Sequence, residues 1–141
     1  MAHQEIDIHG TTRADPAAVW RLLGDSSTWP GWTPIESCHI EAPGGADGVG
    51  ERRVLTTGRV RVTEEIVVRE PERRLVYELR SGLAVRDYRA EITLAPAGGG
   101  TAIRWHTTFR PKVPGMGPIY RRALDRATRR FVEGLAERAA G

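Results

Sequence analysis

Three segments with different patterns make up residues 101–141, TAIRWHTTFRPKVPGMGPIYRRALDRATRRFVEGLAERAAG. Residues 101–110 alternate, which predicts a strand whose buried face carries Ile103, Trp105, Thr107 and Phe109. The prolines and glycines of residues 111–118 predict a loop. The remainder predicts one long amphipathic helix whose apolar face carries Tyr120, Leu124, Ala127, Phe131 and Leu135. A sheet that precedes such a helix must curve around it to bury this face.

The chain before this stretch predicts the other strands of that sheet. Short β-type runs separated by turn signals are typical of an antiparallel meander. Seven strands are predicted: 5–11, 35–41, 51–57, 59–69, 75–79, 84–95 and 101–110. Between the first two strands, Asp15 caps a helix that begins at Pro16 and ends at Gly24, and residues 26–34 hold one further helical turn. The predicted fold class is therefore α+β.

Length and composition indicate one folded domain. The chain has 141 residues, of which 40% are hydrophobic and 28% charged, so a real core is expected. The single cysteine, Cys38, excludes a disulfide within the chain, and we expect its thiol to be buried or half-buried. Long apolar runs and a signal region are absent from the sequence. We therefore expect a cytoplasmic protein without stable membrane insertion.

Several kinds of chemistry have no support in the sequence. Residues 98–100 are three glycines, but they lie between two strands and predict a hairpin instead of a phosphate-binding loop. The four histidines are dispersed, and His106 is predicted to face outward. The formal net charge of +3 comes with no aromatic residues interleaved among the arginines. We therefore expect no cofactor, no metal and no nucleic acid.

The order of the predicted elements resembles the START-like, helix-grip (SRPBCC) superfamily, specifically its polyketide cyclase/dehydrase and lipid-transport branch. The resemblance covers nearly the whole chain. It rests on the segments ADPAAVW (14–20), WPGW (29–32), GERR (50–53), VTEEI (62–66), EPERRLVY (70–77) and GGTAIRW (99–105). It implies a seven-stranded curved antiparallel sheet wrapped around the C-terminal helix, enclosing an elongated apolar cavity. One START-like ligand-binding domain would then span residues 1–141.

Glu64 is the most informative polar residue. The alternation of residues 59–69 places it on an apolar face, where an unpaired carboxylate is costly. It is either a cavity group or the structural partner of an inward arginine such as Arg53 or Arg86. One of Arg52 and Arg53 must point inward in either register, although a salt bridge at the sheet edge is the alternative for Arg53.

The faces of the predicted strands and helix also select residues to line the implied cavity. Tyr77 and Tyr88 point inward, either as ligand contacts or as core. Under the family architecture, Trp29 and Trp32 would lie near the mouth, with Met116 and Tyr120 opposite as a flexible lid. The candidate ligand-binding residues are Trp32, Leu55, Ile66, Tyr77, Arg86, Trp105, Phe109, Met116, Tyr120, Leu124 and Phe131.

The resemblance implies that an apolar or aromatic small molecule is bound, and the branch name suggests cyclisation or dehydration of a polyketide or lipid-like intermediate. The candidate catalytic residues are Glu64 and Tyr88, which would move protons, and Arg53, which would hold an enolate oxygen. The alternatives are a non-catalytic carrier, sensor or self-protection protein, and an interaction module with a filled core. Catalysis without metal or nucleotide is expected if the protein is an enzyme.

The predicted C-terminal helix also carries a basic stripe, formed by Arg122, Arg126, Arg129 and Arg130. A solvated face is one interpretation. The other is a docking surface for an acidic partner such as an acyl carrier protein. The sequence is compatible with a monomer or a homodimer.

Overall fold

The computed structural model describes residues 3–141, which form one antiparallel sheet, two α-helices and a short 3₁₀ helix. The strands are β1 (Gln4–Thr12), β2 (Ser37–Ala42), β3 (Arg52–Thr57), β4 (Val60–Glu70), β5 (Arg74–Ser81), β6 (Val85–Ala97) and β7 (Gly100–Pro111). The helices are α1 (Pro16–Leu23), the 3₁₀ helix (Ser26–Gly31) and α2 (Gly117–Ala140).

The sheet has the strand order β1-β7-β6-β5-β4-β3-β2. Strands β2 to β7 follow one another as a meander, and β1 adds to β7 at the far edge. Helix α2 packs on β1 and β7, where Gly10 lets the helix side chain Val132 come close to the strand. Gly134 similarly lets α2 approach the backbone carbonyl of Trp32. These close approaches seat α2 across the concave face of the sheet.

Local sequence signals account for the two segments that connect β1 to β2. The carboxylate of Asp15 accepts a hydrogen bond of 2.9 Å from the Ala18 amide, and Pro16 occupies the first turn of α1. The carboxylate of Asp25 caps the 3₁₀ helix by accepting from the Ser27 amide. The 3₁₀ helix turns Trp29 into the core, where its indole nitrogen donates to the Leu23 carbonyl at 3.2 Å.

An aromatic cluster lies between the sheet and α2. Trp29 is its centre, with ring centroids 4.9 Å from Trp32, 5.7 Å from Trp105, 6.0 Å from Tyr77 and 6.2 Å from Phe131. Most of these contacts are edge-to-face, the geometry that aromatic pairs prefer. The cluster fills the centre of the fold, so any internal space must lie beside it.

The predicted fold is confirmed: a seven-stranded curved sheet, a long C-terminal helix and short helices between the first two strands. Every predicted strand boundary lies within two residues of the observed one. Among the helices of residues 3–141, none is long and apolar enough to cross a membrane.

Candidate functional site

A cavity of about 160 Å³ lies between α2 and the inner face of strands β3 to β6. Its walls are mainly apolar and aromatic, as expected of a small-molecule site. The lining residues are Trp29, Ile35, Leu55, Thr57, Val60, Val62, Glu64, Tyr77, Leu83, Tyr88, Leu124, Ala127, Thr128 and Phe131. Among these described residues, Glu64 alone carries a carboxylate.

Glu64 is held by Arg53, its cross-strand partner in the β3–β4 hairpin. The Nε and Nη2 atoms of Arg53 both donate to Oε1 of Glu64, at 3.2 and 3.0 Å. Oε2 accepts no hydrogen bond from any described residue. The carboxylate of this cavity-lining residue therefore uses one oxygen for its structural partner and leaves the other without a protein donor.

Arg53 itself is fully buried behind the cavity. Its guanidinium carbon lies 3.9 Å from the ring centroid of Trp29 and 4.9 Å from that of Tyr77. Its Nη1 donates to the Ser26 hydroxyl at 3.0 Å, and that hydroxyl donates to the carboxylate of Glu51. Because its guanidinium is enclosed in this way, Arg53 fixes Glu64 and does not line the cavity.

Burial dominates the electrostatics of the site. It raises the pKa of Glu64, although the charge and hydrogen bonds of Arg53 oppose the shift. It also raises the pKa of Tyr88, and the nearby Glu64 carboxylate adds to this effect. Burial raises the pKa of Tyr77 as well, so both phenols stay protonated at neutral pH. The cavity thus holds one titratable carboxylate beside two neutral phenols.

The structure brings about half of the sequence-predicted site residues to the cavity. Those that line it are Leu55, Glu64, Tyr77, Tyr88, Leu124 and Phe131. Four others, Trp32, Ile66, Trp105 and Phe109, point inward as predicted but are buried in the core without lining the cavity. They support the walls: Phe109 packs on Tyr88 with ring centroids 6.3 Å apart, and Trp105 packs on Phe131 at 5.5 Å.

The predicted inward orientation of Arg86 is wrong. A β-bulge interrupts the pairing of β6 with β7 between Arg86 and Arg89, and Asp87 adopts a left-handed backbone with φ of 53°. The extra residue shifts the alternation, so Val85 and Tyr88 face inward while Arg86 is exposed. Arg53, and not Arg86, is therefore the partner of Glu64.

The predicted mouth and lid also need correction. Trp29 is fully buried and Trp32 is 6% exposed, so neither indole lies at an opening. Met116 precedes α2 and lines no part of the cavity, and Tyr120 lines a neighbouring depression of about 130 Å³ that shares only Leu83 and Leu124 with the described cavity lining. The 3₁₀ helix is the cause, because it turns both tryptophans toward the core.

A groove of about 480 Å³ lies beside the cavity, between α2 and the tip of the β3–β4 hairpin. Five residues line both the groove and the cavity, so the two are adjacent: Ile35, Thr57, Val60, Ala127 and Phe131. Pro34, Ala123, Arg126 and Arg130 complete the walls of the groove. The sequence pattern does not indicate this groove, although Ala127 lies on the apolar face of the predicted helix and Gly58 marks the break between two predicted strands.

Cys38 and His106, whose exposure the sequence predicts, both lie away from the cavity. Cys38 is half-buried, as expected, and burial raises the pKa of its thiol. His106 lies on the outer face of the sheet, with Nε2 3.0 Å from a carboxylate oxygen of Glu5. Over residues 3–141, no group of three histidine, cysteine or acidic side chains is arranged to hold a metal ion.

Several solved structures are similar to this chain. The Zhui aromatase/cyclase from Streptomyces sp. R1128 superposes with a TM-score of 0.85 at 15% identity, over 98% of this chain and 94% of its own. A START superfamily protein from Mycobacterium smegmatis gives 0.83 at 17% identity, over 98% and 97%. A protein from Thermus thermophilus gives 0.74 at 23% identity, over 96% and 97%. At these identities the similarity extends to the fold alone.

Sequence comparison identifies the family directly. No curated protein is measurably similar to this chain. The family model described as polyketide cyclase / dehydrase and lipid transport matches residues 4–140. This match includes every strand and helix that surrounds the cavity. The chain therefore belongs to the polyketide cyclase/dehydrase and lipid-transport family and has its START-like, helix-grip fold.

Proposed function

We propose that this protein binds an apolar or aromatic small molecule in the cavity and orients it by a hydrogen bond to Glu64. One observation carries the proposal: Oε2 of Glu64 accepts no hydrogen bond from the described residues, while Oε1 is fixed by Arg53. Hydrogen bonds to an ionised carboxylate are strong, so a ligand that supplies an O–H or N–H to this oxygen gains affinity. The aromatic walls formed by Trp29, Tyr77 and Phe131 favour a flat ring in the remaining space.

The same geometry supports cyclase or dehydrase chemistry on a polyketide or lipid-like intermediate. Glu64 would take a proton from a carbon flanked by two carbonyl groups, and the resulting enolate carbon would bond to a second carbonyl carbon. The alkoxide that forms would take a proton from Tyr88, and Glu64 would pass its proton to the resulting phenolate. Glu64 would then remove the remaining proton of the same carbon while Tyr88 protonates the departing hydroxyl, so that water leaves and a carbon–carbon double bond forms; the proton on Glu64 returns to Tyr88. Arg53 would act as a positioning residue for Glu64, because its guanidinium is enclosed and cannot reach an enolate oxygen.

The non-catalytic carrier is favoured by a different observation. The part of the cavity lining that the structure describes contains no positively charged side chain. An enolate formed there would lack the cation that usually stabilises such charge. A protein that only sequesters or delivers its ligand needs no such group.

We expect Glu64→Gln to weaken the binding of a single-ring phenol at least tenfold, because a neutral amide oxygen is a weaker acceptor than a carboxylate. Tryptophan fluorescence can measure the binding of single-ring phenols, flavonoid-like phenols and fatty acids, since Trp29 lines the cavity. The matched control is Glu65→Gln, which changes the next residue, on the opposite face, where it pairs with Arg52. Equal affinity of wild type and Glu64→Gln for phenols would contradict the proposal.

Catalysis is tested separately from binding. If the protein is a cyclase, a linear poly-β-ketone ester should lose one water when incubated with it, and Glu64→Gln should abolish the product seen by mass spectrometry. Saturable binding without product, across a series of chain lengths, would instead identify a carrier. No saturable response to any ligand class would favour an interaction module and refute binding in the cavity.

An acyl carrier protein is a proposed partner because α2 exposes Arg122 and Arg126. We expect Arg122→Glu combined with Arg126→Glu to weaken carrier-protein binding about tenfold at low salt, and much less at high salt, where charges are screened. Arg21→Glu with Arg73→Glu changes the net charge equally at two exposed arginines on other parts of the chain. The same loss in both double variants would indicate nonspecific attraction and would rule out α2 as a docking surface.

A further inference from the structure

We infer that the ligand is an aryl alkanoate: a single ring in the cavity, joined by a short chain to a carboxylate that Arg126 and Arg130 hold in the groove. This inference rests on the proposed binding function and names its ligand class. It uses side chains that lie outside the cavity and that the proposed interaction with Glu64 does not involve.

The two arginines are arranged as a pair. They lie four residues apart on α2, so their side chains project from the same face of the helix, and both line the groove. Neither forms an ion pair or a hydrogen bond with any described residue. Their neighbour Arg129, by contrast, is paired with Asp125 at 2.7 Å. Two guanidinium groups with free donors thus stand together at the entrance.

The groove and the cavity differ in their charged side chains. Of the residues that the structure describes, the groove includes Arg126 and Arg130 but no acidic side chain, whereas the cavity is lined by Glu64 and by no basic side chain. Glu133 and Glu137, farther along α2, line a different depression against β1. An anionic ligand is therefore attracted at the entrance, whereas in the mainly apolar cavity a carboxylate would lose its hydration without gaining a cationic partner. The carboxylate must remain in the groove while the neutral end enters.

The dimensions limit the size of the ligand. An apolar cavity of about 150 Å³ holds one benzene molecule, so about 160 Å³ accommodates a single ring and not a fused system. Val60, at the opening, and Glu64 are four residues apart on β4, roughly 13 Å at the usual rise of a strand. A ring with a chain of a few carbons spans most of this distance. A ring hydroxyl opposite the chain would then reach Oε2 of Glu64.

The test compares 4-(4-hydroxyphenyl)butanoate with its primary amide, which has the same shape and no charge. Isothermal titration calorimetry at low salt should show that wild type binds the acid at least tenfold more tightly than the amide. Arg126→Gln with Arg130→Gln should remove this preference by weakening the acid about tenfold and leaving the amide unchanged. Both arginines are exposed, so this variant should melt at the wild-type temperature.

The matched control is Arg121→Gln with Arg122→Gln, which removes the same charge from exposed positions of α2 that do not line the groove. It should change the affinity for the acid less than threefold. Equal wild-type affinity for acid and amide, or equal losses in both double variants, would overturn the inference while leaving ring binding intact. Failure of acid, amide and 4-ethylphenol alike to bind would overturn the proposed function together with this inference.

Discussion

Replacing Arg53 with alanine is expected to lower the free energy of unfolding by about 3–5 kcal/mol, the usual cost of breaking a buried ion pair from one side. The variant leaves the Glu64 carboxylate buried without its two hydrogen bonds and leaves the Ser26 hydroxyl without a donor. It also removes the guanidinium that packs between Trp29 and Tyr77. Urea unfolding at neutral pH measures the change.

The pH dependence separates the charge effect from the lost packing. Burial already holds the folded-state pKa of Glu64 above its ordinary value, and removal of Arg53 takes away the interactions that oppose this shift. A carboxyl whose pKa is raised on folding binds more protons in the folded state, so stability falls as pH rises from the unfolded value, about 4.3, through the folded one. The deficit of Arg53→Ala should therefore be larger at pH 7 than at pH 4.

The double variant Arg53→Met with Glu64→Leu is the control, because it removes both charges and approximately keeps the volume. Its stability should be close to that of wild type. A deficit for Arg53→Ala that stays constant between pH 4 and pH 7 would mean that packing alone is lost and that Glu64 carries no buried charge.

The pairing of Arg53 with Glu64 can be predicted in part from the sequence. Alternation in residues 59–69 places Glu64 on a buried face, and Gly58 marks a turn. A two-residue turn at 58–59 pairs Thr57 with Val60, and that register sets Arg53 opposite Glu64. Arg86 competes as a partner because nothing local indicates the bulge at Asp87, a non-glycine residue with positive φ. The turn thus predicts the register of β3 with β4, whereas the bulge in β6 depends on tertiary structure.

The cavity itself is less predictable than the fold. A period of two assigns a side chain to the inner face of a strand but does not say what covers it there. Trp105 and Phe109 on β7 face inward, yet they are covered by the aromatic cluster and by Tyr88. Leu55 and Tyr77, on β3 and β5, meet open space. The difference arises because α2 packs on β1 and β7 and leaves the inner face of β3 to β6 partly uncovered.

Trp29→Ala is expected to cost about 3–5 kcal/mol of stability, because it deletes the fully buried centre of the aromatic cluster. Trp29 contacts Trp32, Trp105 and Phe131 and also covers the guanidinium of Arg53. Because its indole forms part of the cavity wall, the deletion joins the vacated space to the existing cavity. The melting temperature should fall by roughly 10–15 °C for a domain of this size.

The enlarged cavity should also change which ligands bind. Free indole or a naphthol should raise the melting temperature of Trp29→Ala in a concentration-dependent way, since a ligand that binds only the folded state stabilises it by mass action. Trp20→Ala makes the same chemical deletion away from the cavity lining and should not be rescued by indole. If indole stabilises both variants equally, or neither, then the space left by Trp29 is not continuous with the cavity. A selective rescue would support Trp29 as the wall that limits the wild-type site to a single ring.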